Sequence, residues 1–367
     1  MIRSLQLRNF KCFKSQSIDF ASLTLLSGLN GMGKSSVLQA LLLLRQSYEQ
    51  KLLQETGLAL NGNLIQIGTA TDAFFRYADE EEISFTVLLD NGVEGKWCFK
   101  YNLEKDVLDY ALSPVATDIF EHSLFTDGFH YLQAERIGPR TAFPKSDFLV
   151  REHKQMGTRG EHTAHFLELF GSKDKICCSR LAFPSVDSPK LKEQVEAWLG
   201  QISPGTRLHL ATHSSMDLMS LQYSFTRAGE VENVPYRATN VGFGVTYVLP
   251  VIVALLSSSP NALVLLENPE AHLHPQGQAK MGELIARAAS CGIQVLLETH
   301  SDHVLNGIRI AVRNGLLKPE QTRFHYFERE ENGMTKLTTP EIDEYGHLED
   351  WPEGFFDEWD RALFELL

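Results

Sequence analysis

Eight residues constrain this chain more than any others: Gly28-Leu29-Asn30-Gly31-Met32-Gly33-Lys34-Ser35. They fit G-x-x-x-x-G-K-[ST], and they stand between an apolar stretch at Leu23 and Leu25 and a helical run from Ser35 to Gln46. Each residue type has a physical task. Glycines let backbone N–H groups turn inward around phosphate oxygens, the following helix adds positive potential at its N-terminus, and Lys34 supplies a mobile charge. The Ser35 hydroxyl suits Mg²⁺, and Asn30, Gly31, Gly33 and Ser36 complete the expected nucleotide cradle. A glycine-rich turn that merely precedes a helix is the competing explanation, but the flanking strand and helix come in the order the motif needs. The helix is apolar nearly all round, so burial is expected.

The rest of the chain supports an α/β fold. Ile2, Leu5 and Leu7, then Ile18 and Phe20, then Leu23 and Leu25, predict short strands. Asn91-Gly92 between Ile83–Asp90 and Val93–Tyr101 predicts a hairpin. From Gly242 onward, helices and fully apolar strands alternate: a helix to about Leu256, a strand Ala262–Leu266, a helix Gln276–Ala289, a strand Ile293–Leu297 and a helix His303–Arg313. That alternation predicts a mostly parallel sheet flanked by helices. The expected organisation is a core made of 1–50 and 236–330, split by a mixed α+β insertion at 51–235 and followed by an acidic extension at 331–367.

Two apolar strands end in polar clusters. Leu263–Leu266 runs into Glu267-Asn268-Pro269-Glu270, and Gln294–Leu297 runs into Glu298-Thr299-His300-Ser301. Acids at a strand end beside a phosphate loop are where Mg²⁺ and an attacking water are managed. Singly, each cluster is as well explained as an ordinary strand-end loop. With the phosphate loop, the functional explanation prevails.

The phosphate loop, Glu267-Asn268-Pro269-Glu270-Ala271-His272-Leu273-His274-Pro275, Thr299-His300-Ser301 and the opening Leu5-Gln6-Leu7-Arg8-Asn9-Phe10-Lys11-Cys12-Phe13 together resemble the RecF/SMC/OLD branch of ABC-type P-loop ATPases. The likeness covers residues 1–50 and 240–315. It implies that Glu267 holds Mg²⁺ and that His300 is a switch histidine reading the γ-phosphate. It also places Asn240-Val241-Gly242-Phe243-Gly244 at the ABC signature, where Asn240, Gly242 and Gly244 would cap the ATP of an opposite subunit in a head-to-tail homodimer. Gln66 occupies a possible glutamine-loop position near the metal. The Pro269–Pro275 stretch is implied to make intersubunit contact, an explanation preferred to a histidine metal site.

One departure matters. Such relatives commonly carry Asp-Glu where this chain has Glu267-Asn268, the second acid being the general base. Asn268 cannot take a proton from water. Glu270, favoured here, or Glu298 takes that role, or hydrolysis is slow and ATP mainly locks a dimer.

Composition narrows the partners. Of a net charge of −13, residues Glu341–Leu367 carry −9, leaving a near-balanced remainder. A uniformly basic DNA-coating surface is thereby excluded. Six basic residues between Arg136 and Gly160 face two acids, so nucleic-acid contact through Arg136, Arg140 and Arg151 stands beside the plainer reading of a solvated face. Five scattered cysteines without a CxxC pair argue against a disulfide framework and predict reduced thiols, with Cys177 and Cys178 packing. No apolar run is long enough to span a bilayer, and the N-terminus reads as a strand, so a soluble cytoplasmic protein is expected. The closing Trp351, Phe355, Phe356 and Trp359 are expected to pack on the core.

The basic stretch and Leu348–Phe356 resemble a subgroup of short prokaryotic ATPases with an uncharacterised C-terminal extension, often encoded in anti-phage defence clusters. The resemblance implies an ATPase that gates a separate effector, such as a nuclease. A RecF-like repair ATPase that binds DNA directly and an ATP-locked scaffold with little turnover are the alternatives.

Overall fold

The computed structural model describes residues 1–111, 117–226, 234–330, 333–349 and 351–366, with the side chains of 358–361 excepted. In chain order its first elements are β1 (Ile2–Phe10), β2 (Phe13–Asp19), β3 (Leu23–Gly28), α1 (Lys34–Glu49), β4 (Glu82–Leu89), β5 (Glu94–Lys100) and β6 (Phe129–Leu132). Then come α2 (Thr163–Phe170), α3 (Leu191–Ile202), β7 (Thr206–His213), β8 (Leu218–Phe225), α4 (Phe243–Ser257), β9 (Leu263–Glu267) and α5 (Pro275–Ser290). The chain closes with β10 (Gln294–Glu298), α6 (Asp302–Arg313), β11 (Thr322–Arg329), β12 (Thr335–Thr338) and α7 (Glu358–Leu366). The fold is α/β, with a mixed, mostly parallel sheet and helices. By compactness the residues form two units, one of 1–129, 322–341 and 348–367, the other of 130–321 and 342–347. These limits cut across the sequence division at 50, 235 and 330.

In the first unit, β2, β1, β4 and β5 form an antiparallel sheet in that order. Alternation along β4 turns Ile83, Phe85, Val87 and Leu89 inward, the period a half-buried strand requires. Asn91-Gly92 makes the expected hairpin: Gly92 takes φ 85°, and Phe85 stands opposite Trp97. In the same unit β3 runs parallel to β11, from Leu23 opposite Thr322 to Gly28 opposite Phe327. α1 is buried from Val37 to Ser47 apart from Gln39, as its apolar girth predicts. Each of its fully buried leucines contributes about 2 kcal/mol of transfer free energy. Of the closing aromatics, Phe355 is buried against Tyr326 and Trp351 reaches the surface. The Trp359 side chain lies outside the described residues.

In the second unit, β9 and β10 are parallel neighbours, with Leu263 opposite Gln294 and Glu267 opposite Glu298. α4 packs on β9 and α5 on β10, and β6 lies on the other side of β9. This cover explains why both strands are apolar without alternation. β7 and β8 form an antiparallel pair. Among the described residues, no helix is long and apolar enough to cross a membrane.

The cysteine expectation is corrected. Cys178 and Cys291 form a disulfide across 113 residues of sequence, with Cα atoms 6.2 Å apart, tying the segment before α3 to the end of α5. Spacing gave no sign of it because the two positions meet only through the tertiary fold. Cys12, Cys98 and Cys177 remain free thiols. Cys291→Ser is expected to lower stability by roughly 2–5 kcal/mol, in line with closure of a long loop. Thermal melts should show this loss and Cys177→Ser should not; equal melts for both variants would refute the cross-link's role.

Candidate nucleotide site

The phosphate loop is built within the first unit. β3 stays buried until Gly28, where the chain turns out to a surface loop at Leu29, Asn30 and Gly31 and returns into α1. Two glycines make that path possible. Gly28 has φ 132°, and a Cβ there would run into the Phe327 carbonyl of the neighbouring strand. Gly33, at φ 104°, is the N-cap of α1, and a Cβ would meet Cys12 Sγ at 2.6 Å and the Phe13 ring at 2.7 Å. Lys34 is buried, and its Nζ donates to the carbonyl oxygens of Gly28 and Leu29, each at 2.9 Å. The ammonium is therefore already folded back over the loop.

These residues fit a polyphosphate. The first turn of α1 has no acidic residue, and no side chain caps its N-terminus, so backbone and Lys34 define an anion-binding surface. Ser35 is half-buried and Ser36 buried on the first turn. Gln66 is exposed on a neighbouring loop that Gln46 of α1 pins by accepting the Ile65 N–H at 3.1 Å.

The second unit assembles the acids. Glu267 closes β9; its carboxylate accepts the Tyr131 hydroxyl and the Ala134 N–H, each at 2.9 Å. Burial, then the charge of Glu267, push the Tyr131 hydroxyl well above the usual phenol range, so it remains a donor. Glu298 stands beside Glu267 in the parallel register and is buried. Asn268 turns the chain left-handed at φ 43°, and its N–H donates to the Glu298 carbonyl at 2.8 Å.

Glu270 lies three residues beyond Glu267. It is 7 % exposed; Oε1 accepts the His300 N–H at 3.3 Å, while Oε2 is buried without a hydrogen-bond partner. Burial raises its pKa, opposed by hydrogen bonds from Thr299 and His300 and by the charge of Arg136. A carboxyl so placed can accept a proton more readily than an ordinary surface glutamate. The His300 side chain lies at the surface, just before the Ser301 N-cap of α6.

The signature residues also belong to this unit. Gly242 caps α4 without a side-chain bond, and Asn240, Gly242, Phe243, Gly244, His272 and His274 help line a cavity of about 540 Å³. Gly244 packs so closely on the His272 carbonyl that a Cβ would overlap it within 2.5 Å. His272 takes a left-handed turn and meets the Phe243 ring at 4.6 Å. The structure thus joins Asn240, Gly242 and Gly244 to the His272–Pro275 stretch.

Arg136 requires a second correction. It is only 2 % exposed, and its guanidinium binds backbone carbonyls, so it presents no charge to a nucleic acid. A charge run read from sequence treats each cation as solvated; this one is internal. Arg140 and Arg151 are exposed, and Arg151 lies 3.7 Å from Asp147. Sequence reasoning also missed Tyr131, Ala134 and Tyr247 as supports of the acidic turn. The only signal was a strand, Phe129–Leu132, ending in the same segment as Arg136.

Comparison with known families follows the same division. A family described as "AAA ATPase domain" matches residues 1–113, and one described as "AAA domain, putative AbiEii toxin, Type IV TA system" matches residues 198–306. The chain is a P-loop ATPase. A third family, "Protein of unknown function (DUF3696)", matches residues 317–366 of this ATPase. No curated protein matches it. Among solved structures, the Smc head bound to the C-winged helix domain of ScpA is 15% identical with a TM-score of 0.55, covering 93% of the ATPase and 98% of its own chain. The Smc head domain with an extended coiled coil, bound to the C-terminal domain of ScpA derived from Pyrococcus furiosus, is 12% identical with a TM-score of 0.50, covering 100% and 99%. The ATPase therefore has the fold of an SMC head.

Proposed function

We propose that this ATPase binds ATP with Mg²⁺ and hydrolyses it slowly, with Glu270 as the general base, in a head-to-tail homodimer that gates a separate effector. The observation that carries the reading is Glu270 itself: buried, raised in pKa, with one oxygen left without a partner. Asn268 cannot do this work, and Glu267 already accepts two hydrogen bonds from Tyr131 and Ala134. Asn30, Gly31, Gly33, Lys34 and Ser36 would bind the phosphates; Ser35 and Glu267, with Gln66, would hold Mg²⁺. Bound Mg²⁺ would neutralise charge on the phosphates and polarise the bond to be broken. His300 would report the terminal phosphate through its junction with α6. Asn240, Gly242 and Gly244 would meet the nucleotide of the second copy, since their glycines leave backbone N–H groups at a helix start.

A role in defence is supported by the toxin–antitoxin description of the family that matches residues 198–306. The effector would be a nuclease supplied by another chain. The reading is tested by light scattering with and without ATP and magnesium: a dimer is expected with both and a monomer without. An unchanged mass would remove the gating model. Co-purification from the native host should retain a nuclease in the ATP state, and its absence would remove the effector assignment.

The pKa shift adds a signed expectation. A base must be ionised, so kcat falls as pH drops through the raised pKa of Glu270. The acid limb of the phosphate-release profile should therefore lie above the ordinary glutamate range. A limb within that range would point to a different base.

A further inference from the structure

The buried guanidinium of Arg136 donates its hydrogen bonds to main chain, two of them to the acidic turn. Nη1 donates to the carbonyl of Glu267 at 2.6 Å and to that of Gln133 at 3.0 Å, and Nη2 donates to the carbonyl of Asn268 at 2.6 Å. Nε donates to the Tyr247 carbonyl at 3.1 Å, on α4, and the guanidinium lies 4.6 Å from the Tyr247 ring centre. The Arg136 N–H donates to the Tyr247 hydroxyl at 3.1 Å, and that hydroxyl donates to the Ala134 carbonyl.

We propose that Arg136 is a positioning residue for ATP hydrolysis, locking the Glu267–Glu270 turn to α4. This rests on the role assigned above to that turn. Where β9 ends and Asn268 turns left-handed, consecutive carbonyls leave the sheet ladder and need donors. A planar, five-donor fork meets several carbonyls at fixed angles, which a lysine's compact charge does not. The segment 131–136 thereby grips the turn twice. Tyr131 and Ala134 hold the Glu267 carboxylate, and Arg136 holds the main chain behind it. Through Tyr247 the same grip reaches the helix that opens at Gly242. Direct hydrogen bonds thus connect α4, at Tyr247, to the main chain of the acidic turn.

The test compares Arg136→Gln, Arg136→Lys and Tyr247→Phe in the full chain, with kcat and KM for ATP from phosphate release and folding from thermal melts. Arg136→Gln should lose roughly tenfold to hundredfold in kcat with KM changed less than about threefold, since misplacement near the chemistry costs rate more than binding. Arg136→Lys should recover part of that loss, and Tyr247→Phe should show a smaller loss of the same kind. Wild-type kcat in Arg136→Gln overturns the inference. So does a kcat loss in Arg136→Gln matched by an equal rise in KM, the mark of a nucleotide site disturbed as a whole, or one accounted for by an unfolded fraction in the thermal melt. Should Arg136→Gln fail to fold, the other two decide: a kcat loss at constant KM supports the inference, and wild-type kcat in both overturns it. Glu270→Gln run alongside separates the two ideas. If Glu270→Gln is inactive while the Arg136 variants are unimpaired, only the present inference fails; if Glu270→Gln turns over normally, the assignment of the turn fails first.

Discussion

Lys34→Ala is expected to weaken ATP binding by about a hundredfold or more. Lys34 is the only basic side chain between Gly28 and Val37, and its ammonium is held within the loop by the Gly28 and Leu29 carbonyls. Charge-assisted hydrogen bonds to phosphate contribute about 1.5–3 kcal/mol each, so losing two costs roughly 3–6 kcal/mol, a hundredfold or more in affinity. Calorimetry with ATP and magnesium measures it. The fold should survive, because the substitution removes two loop hydrogen bonds while α1 keeps its leucine core. A Lys34→Ala protein that melts like wild type yet binds ATP with wild-type affinity would show that nucleotide enters elsewhere.

Glu270→Gln separates binding from turnover. The amide keeps the shape of the side chain and cannot take a proton, so phosphate release should fall by about a hundredfold to several thousandfold, the usual contribution of general base catalysis. ATP affinity should stay near wild type, and the ATP-bound dimer should accumulate on size-exclusion chromatography. The matching Glu298→Gln variant discriminates between the two acids. Near-normal turnover in Glu270→Gln with a collapse in Glu298→Gln would transfer the assignment to Glu298.

Much of this was legible because it is local. Gly28–Ser35 contains its own flanking strand and helix, and the apolar strands ending at Glu267 and Glu298 announce a parallel sheet by lacking alternation. Asn91-Gly92 likewise carries its hairpin within a few residues. What escaped was long-range. Tyr131 meets Glu267 across 136 positions, Arg136 meets Asn268 across 132, and Cys178 meets Cys291 across 113. No periodicity connects such pairs. Arg136 was further disguised by company: among Arg140, Lys145 and Arg151 it looked like one more surface cation. The proposal of Glu270 as base, by contrast, starts from the sequence, because Asn268 removes the alternative next to the strand.

The backbone at Asn268 limits how this ATPase can be made faster. Its φ of 43° lies where asparagine is tolerated better than most side chains, whereas a glutamate would be disfavoured by roughly 1–2 kcal/mol. Grafting a carboxylate onto position 268 therefore sets conformational preference against reactivity before any water is activated. If Glu270 is the base, as proposed above, a quicker enzyme would sooner arise by changing the side chains packed around it than by placing an acid at the corner.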